Sequence, residues 1–153
     1  MLFSLLQDSV RPAFESFATR LDKAGHRYKI QETYRTQEVQ DAYFAQGRES
    51  LDSINELRKV AKLHLIGEAE SKRIITSARY SVHQDRRAAD IVPVLANGMI
   101  PWDYGKYKAL WLEFGTLGME CGLEWGGHTV WTPLLSCGLG WDPPHYQKVI
   151  KGA

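Results

Sequence analysis

The stretch RYSVHQDRRAADIVPV, residues 79–94, joins a polar loop to an apolar strand, and the rest of the chain can be read from it. Arg79 to Arg87 shows no apolar period and reads as a loop. Ala89-Asp90-Ile91-Val92-Pro93-Val94 reads as a strand, because branched side chains suit a pleated surface, and Asn97-Gly98 stops it. His83 lies in the loop and Asp90 opens the strand. A loop that folds back can therefore bring an imidazole and a carboxylate to one ion.

On the N-terminal side, Arg73-Ile74-Ile75-Thr76-Ser77 is β-rich and predicts a further strand. Leu51, Ile54, Leu57 and Ala61 recur at helical spacing, and Thr36 can cap a helix that turns Val39, Ala42 and Tyr43 inward and ends at Gly47. Residues 28–34 alternate as a strand does. Val10, Phe14, Phe17 and Leu21 predict a first helix, with Ser9 ahead of Pro12 as its start and Gly25 as its stop. On the C-terminal side, Tyr107, Leu110, Trp111, Phe114 and Leu117 keep a helical stripe closed by Gly122, and Gly126-Gly127 and Pro143-Pro144 punctuate short strands or loops. Helices and strands mixed without a βαβ rhythm indicate an α+β fold.

At 153 residues the chain is expected to form one domain, 1–153, with a core of its own. Hydrophobic residues at 44% and charged residues at 24% exclude neither solubility nor folding, but they do argue against disorder. A net charge of +1, with Lys and Arg spread among nearly as many acids, leaves no basic footprint, so no nucleic-acid partner is expected. Cys121 and Cys137 form no C-x-x-C pair, which excludes a four-cysteine zinc site. The start, MLFSLLQDSVRPAFESF, lacks a basic segment followed by a long apolar run. The expectation is synthesis in the cytoplasm without a signal peptide and no membrane insertion. Nucleotide-binding, nucleophile-elbow and H-E-x-x-H motifs are absent.

His145 offers a third ligand. Two imidazoles and one carboxylate make a set that suits Zn²⁺ with a fourth position open for water. Asp142, three residues earlier in Trp141-Asp142-Pro143-Pro144-His145-Tyr146-Gln147, is the candidate acid/base, because two prolines stiffen the turn between it and the ligand. Taken singly these features are weak, since a lone His or Asp in a loop is far more often a solvated or structural side chain than a ligand.

Four blocks together resemble one family. Ser81-Val82-His83-Gln84-Asp85-Arg86-Arg87-Ala88-Ala89-Asp90 is similar to the Ser-x-His-x6-Asp signature of the D-alanyl-D-alanine carboxypeptidase metallopeptidases, which include the L-alanyl-D-glutamate endopeptidases of phage lysis systems. Asp142 to Gln147 resembles their second zinc motif. Glu32-Thr33-Tyr34-Arg35-Thr36 through Ala45-Gln46-Gly47-Arg48, and Gly122-Leu123-Glu124-Trp125-Gly126-Gly127, resemble segments of the phage, endolysin-like branch. The resemblance implies a hedgehog/DD-peptidase-like fold, with a small, largely antiparallel sheet carrying the site and helices flanking it. It also implies zinc on His83, Asp90 and His145, Asp142 as general base and acid, and Arg35 steadying the scissile carbonyl. A planar, permanently charged guanidinium suits that last role, although Arg35 could instead pair with Glu32 or Glu38.

Two departures stand out. The family usually has glycine where this chain has Arg86, and here His128-Thr129-Val130 precede Trp131 after the paired glycines. If that glycine serves a positive φ angle, Arg86 would carry about 1 kcal/mol or more of strain, and the loop is expected to take another course.

Glu124 could orient a ligand imidazole, line a substrate groove or make a structural hydrogen bond. Ser81 is expected to support the metal loop, Tyr34 belongs with the substrate-binding or metal-supporting residues, and Trp125, Trp131 and Trp141 are expected to flank a groove, with Trp111 in the core. His26 and His64 have no matching partners and read as structural or surface residues, whereas His128, near the paired glycines, is either a substrate contact or, more often for such a position, an exposed loop histidine. The expected activity is zinc-dependent hydrolysis of peptidoglycan stem peptides by a monomer, at the L-alanyl-D-glutamate bond, after release by a holin-type pore partner. A D-alanyl-D-alanine carboxypeptidase and a non-catalytic, zinc-containing wall-binding module are the alternatives.

Overall fold

The computed structural model describes residues 2–148. In chain order they form α1 (Arg11–Lys23), β1 (Tyr28–Glu32), α2 (Gln37–Ala45), α3 (Leu51–Val60), α4 (Glu68–Ser71), β2 (Ala88–Pro93), α5 (Lys108–Glu120), β3 (Glu124–Trp125) and β4 (His145–Gln147). The fold is α+β, with the four strands in one antiparallel sheet of order β1-β2-β4-β3. The chain divides into two compact units, one of residues up to Tyr34 together with those from Arg86 onward, the other of Arg35–Asp85.

In the first unit, α1 buries Phe14, Phe17, Ala18 and Leu21, the stripe read from its spacing. Its start differs from expectation. The N-cap is Val10, with no side-chain hydrogen bond, and Pro12 occupies the first turn, where a missing N–H costs nothing. The lead segment is held instead by Arg11, whose guanidinium donates to the carbonyls of Phe3 and Leu6 while Phe3 and Leu6 themselves join the core. Helix α5 turns Trp111 and Phe114 inward, with the Trp111 indole N–H donating to Pro101 O at 2.8 Å. Its buried glycines make room for the sheet. A Cβ on Gly118 would stand 2.7 Å from the Tyr146 ring, and one on Gly115 would collide with the Trp125 ring. Tyr146 of β4 thus lies between α5 and Phe17 of α1, at 4.7 Å from the Phe17 ring. Side chains alternate across a strand, so Tyr146 facing the helices turns His145 and Gln147 to the opposite face.

In the second unit, Thr36 caps α2 as its position suggests, its hydroxyl accepting from Val39 N–H at 3.2 Å, and Ser50 caps α3 in the same way. Polar residues do much of the internal fastening. Buried Gln40 donates to Ala78 O, Gln46 to Glu70 O, and buried Arg58 to His64 O. The predicted strand over residues 73–77 does not form. Those residues run as irregular chain, with Ile74 exposed and its main chain packed close to Gly47. Branched residues favour extended backbone, but a strand also needs a paired neighbour, and no strand pairs with this stretch among the described residues.

Candidate functional site

The register of β2 against β4 places Asp90 directly opposite His145, with Ala89 opposite Tyr146. Directly opposed residues of antiparallel strands share a face and hold their Cβ atoms about 5 Å apart. The two candidate ligands are therefore brought together by backbone pairing, and His145 Nδ1 lies 3.4 Å from Asp90 Oδ1. β1 extends the row, because an irregularity between Ile30 and Glu32 sets Glu32 opposite Asp90.

His83 sits in the turn that leads into β2. Its N–H donates to Ser81 Oγ at 3.2 Å, Ser81 N–H donates to Gln84 Oε1 at 2.9 Å, and Gln84 in turn donates to Gln37 Oε1 at 2.7 Å. The His83 carbonyl accepts from Arg35 N–H at 3.3 Å. His83 and His145 are 2% and 6% exposed. One ligand atom from each of His83, Asp90 and His145 lies within 4.8 Å of the others. Two imidazole nitrogens and a carboxylate oxygen at that mutual distance fit a zinc ion, whose bonds to such donors are about 2.0–2.2 Å long. The far nitrogen of His145, Nε2, lies 2.8 Å from Gln147 Oε1, and Gln147 Nε2 donates to Glu124 Oε1 at 3.4 Å.

Asp142 is fixed by its main chain. His145 N–H donates to Asp142 O at 3.1 Å, closing the Asp-Pro-Pro-His turn, and Asp142 N–H donates to Gly126 O. Only glycine fits at position 126, since a Cβ there would collide with Asp142 O. Beneath the turn, the Trp125 indole N–H donates to Pro143 O at 2.7 Å, and Ile91 N–H donates to Pro144 O at 2.9 Å. Trp125 is buried, so it is a strut under this turn as well as a wall of the adjoining cleft. That cleft, about 210 Å³ and lined by Leu123, Glu124, Val130 and Trp131 among others, borders the ligand through Trp131, whose ring centroid is 5.3 Å from that of His145. Trp141 is exposed beside Trp131, at 6.1 Å between ring centroids.

The electrostatics follow the geometry. Burial works against a charged His145, but the Asp90 carboxylate, then Asp142 and the Gln147 carbonyl, outweigh it and raise the imidazole above its usual pKa. Tyr104 is raised by burial first, then by Asp142 and Asp90, and keeps its phenolic proton. The sequence reading missed Tyr104, which no spacing links to the site. It also missed Gln147, although a residue two places along a strand from a ligand shares that ligand's face.

The remaining candidates lie as follows. The Arg35 guanidinium donates to Gln40 Oε1 at 2.8 Å and sits 5.0 Å from the centre of the Tyr43 ring. Arg86 has φ +59°, so the loop keeps a left-handed residue where a different course was expected. Its guanidinium lies over the Tyr34 ring, 4.3 Å from the centroid, and its carbonyl accepts from Gln7 N–H at 2.9 Å. Of the other histidines, His26 pairs with Glu113 at 2.9 Å, His64 is exposed, and His128 borders the cleft.

No protein-family model matches the chain, and no curated protein matches it. Solved structures do. The Serratia marcescens L-Ala D-Glu endopeptidase ChiX aligns with TM-score 0.54 and 18% identity over 97% of this chain and 84% of its own. A mutant of the vancomycin resistance D,D-pentapeptidase VanY from a VanB-type resistance cassette, in complex with Zn(II), aligns with TM-score 0.55 and 15% identity over 95% of this chain and 73% of its own. VanYB in complex with D-alanine-D-alanine aligns with TM-score 0.56 and 17% identity over 95% and 72%. The fold is the one these peptidase structures share.

Proposed function

We propose that this chain is a single-domain, zinc-dependent peptidase that hydrolyses the stem peptides of peptidoglycan, with His83, Asp90 and His145 as metal ligands and Asp142 as general base and acid. The observation that carries this reading is the His83, Asp90, His145 group, three ligand atoms within 4.8 Å of one another on a fold shared with peptidases. Zinc, when bound there, supplies a Lewis acid that polarises a carbonyl and acidifies a water.

The rest is work for the chain itself. Asp142, held by the Asp-Pro-Pro-His turn, accepts the proton of the attacking water and returns it to the departing amine. Arg35, a permanent cation with a planar fork, steadies the carbonyl oxygen as its charge grows. Trp131 and the apolar wall of the adjoining cleft limit water beside His145.

For the bond cut, the phage-like blocks at residues 32–48 and 122–127 favour L-alanyl-D-glutamate, and the likeness to ChiX supports the same choice. The likeness to VanYB with D-alanine-D-alanine supports the second reading, a D-alanyl-D-alanine carboxypeptidase. In the first reading the enzyme serves wall lysis as a monomer, reaching its substrate through a holin-type pore; no helix among the described residues is long and apolar enough to cross a membrane by itself.

The test is digestion of purified stem peptides by the zinc-loaded protein and by Asp142→Asn. The variant should keep its zinc and lose at least about a hundredfold in rate, the size of a general acid/base contribution. An unchanged rate would remove Asp142 from the mechanism, and release of terminal D-alanine alone would sink the endopeptidase assignment.

A further inference from the structure

We infer that Gln147, held in one orientation by Glu124, is a positioning residue that fixes the proton of His145 on Nε2 and so presents Nδ1 to the metal. The inference rests on the zinc-site reading and adds a residue that the resemblance did not assign a role.

The argument starts at an acceptor-only group. The Glu124 carboxylate can only accept, so the Gln147 atom that faces it at 3.4 Å must be the amide nitrogen. The amide oxygen of Gln147 then points the other way, to His145 Nε2 at 2.8 Å. An oxygen cannot donate, so Nε2 must carry the hydrogen. In a neutral imidazole this leaves the lone pair on Nδ1, the atom 3.4 Å from Asp90 Oδ1. One carboxylate thus sets the tautomer of a ring that it does not touch.

The backbone makes the relay rigid. Glu124 and Gln147 are register partners across β3 and β4, and His145 and Gln147 stand two residues apart on one strand face. β4 is itself clamped on its other edge by β2. Outer hydrogen bonds of this kind orient ligand imidazoles and raise their basicity, and their removal commonly weakens metal binding 10- to 100-fold.

The experiment measures zinc affinity by competition with a chelator in the full chain, with circular dichroism to verify the fold. Gln147→Leu should bind zinc about 10- to 100-fold more weakly. The double variant Glu124→Gln with Gln147→Glu reverses donor and acceptor across the pair, leaves an acceptor facing Nε2, and should recover most of the affinity. Nitrogen NMR of the unsubstituted, zinc-loaded protein should show the His145 proton on Nε2, a readout that needs no variant and no peptide substrate.

A Gln147→Leu affinity within twofold of the unsubstituted protein, or a proton on Nδ1, would overturn the assignment. Failure of the unsubstituted protein to bind zinc would remove the metal site and this role together. Zinc binding with the expected affinity pattern but without peptide cleavage would remove the proposed activity and leave the relay standing.

Discussion

Arg86 shows how a single position can depart from a pattern and keep its shape. A left-handed backbone costs a residue with a Cβ about 1–2 kcal/mol, and the φ of +59° accepts that cost. The stack of its guanidinium on Tyr34 offsets part of it, since an exposed cation–π contact contributes about 0.5–1 kcal/mol. Arg86→Ala, which keeps the strain and loses the stack, should lower stability by about 0.5–1 kcal/mol. Arg86→Gly loses the stack but relieves the backbone, so it should exceed the alanine variant by about 1 kcal/mol. Urea midpoints at constant m-value would read both, and equal midpoints for the two variants would show that the backbone is not strained. The candidate ligands were legible because His83, Asp90 and His145 carry chemistry that few other positions need, and the fold brings one atom of each within 4.8 Å of the others. Gln147 was not, because an amide two places past a histidine has meaning only once Glu124 is known to lie across the strand from it.

Among the elements, α5 sets the space available to the site strands. Gly115 and Gly118 lie on its buried face, against Trp125 and Tyr146. Alanine is the better helix former by about 1 kcal/mol, so Gly118→Ala would stabilise an isolated helix. In this protein the added methyl meets the Tyr146 ring at 2.7 Å, and overpacking of that kind costs about 1–3 kcal/mol. The variant should therefore melt at lower temperature than the unsubstituted protein, and a higher melting temperature would mean that Tyr146 moves aside freely. Helices were well marked in the sequence, since a stripe such as Phe14, Phe17 and Leu21 states its own burial. Strands were marked less surely: those read at residues 28–34 and 89–94 form, but Arg73–Ser77 looks like them in propensity and pairs with no strand among the described residues.

For the whole molecule, the candidate ligands come from residues 83, 90 and 145, so metal binding reports on distant parts of the chain at once. Zinc held at a hundred times its dissociation constant should add about 2.7 kcal/mol of stability. For a chain of this length that is a rise of roughly 5–10 °C in melting temperature. His83→Ala should lose most of that rise; a rise of the same size in the variant would remove His83 from the ligand set. The α+β class followed from the order of elements, but the strand order β1-β2-β4-β3 did not, because nothing in a linear pattern says that the last strand enters between two earlier ones.

That insertion also has a consequence in time. As the chain leaves the ribosome, β1 and β2 can pair early, whereas β3 finds its strand partner only when β4 emerges. Asp90 is in place long before His145 is translated. The candidate metal site therefore cannot close before β4 is made, and a nascent chain that has already built α1 to α5 still lacks one of its three candidate ligands.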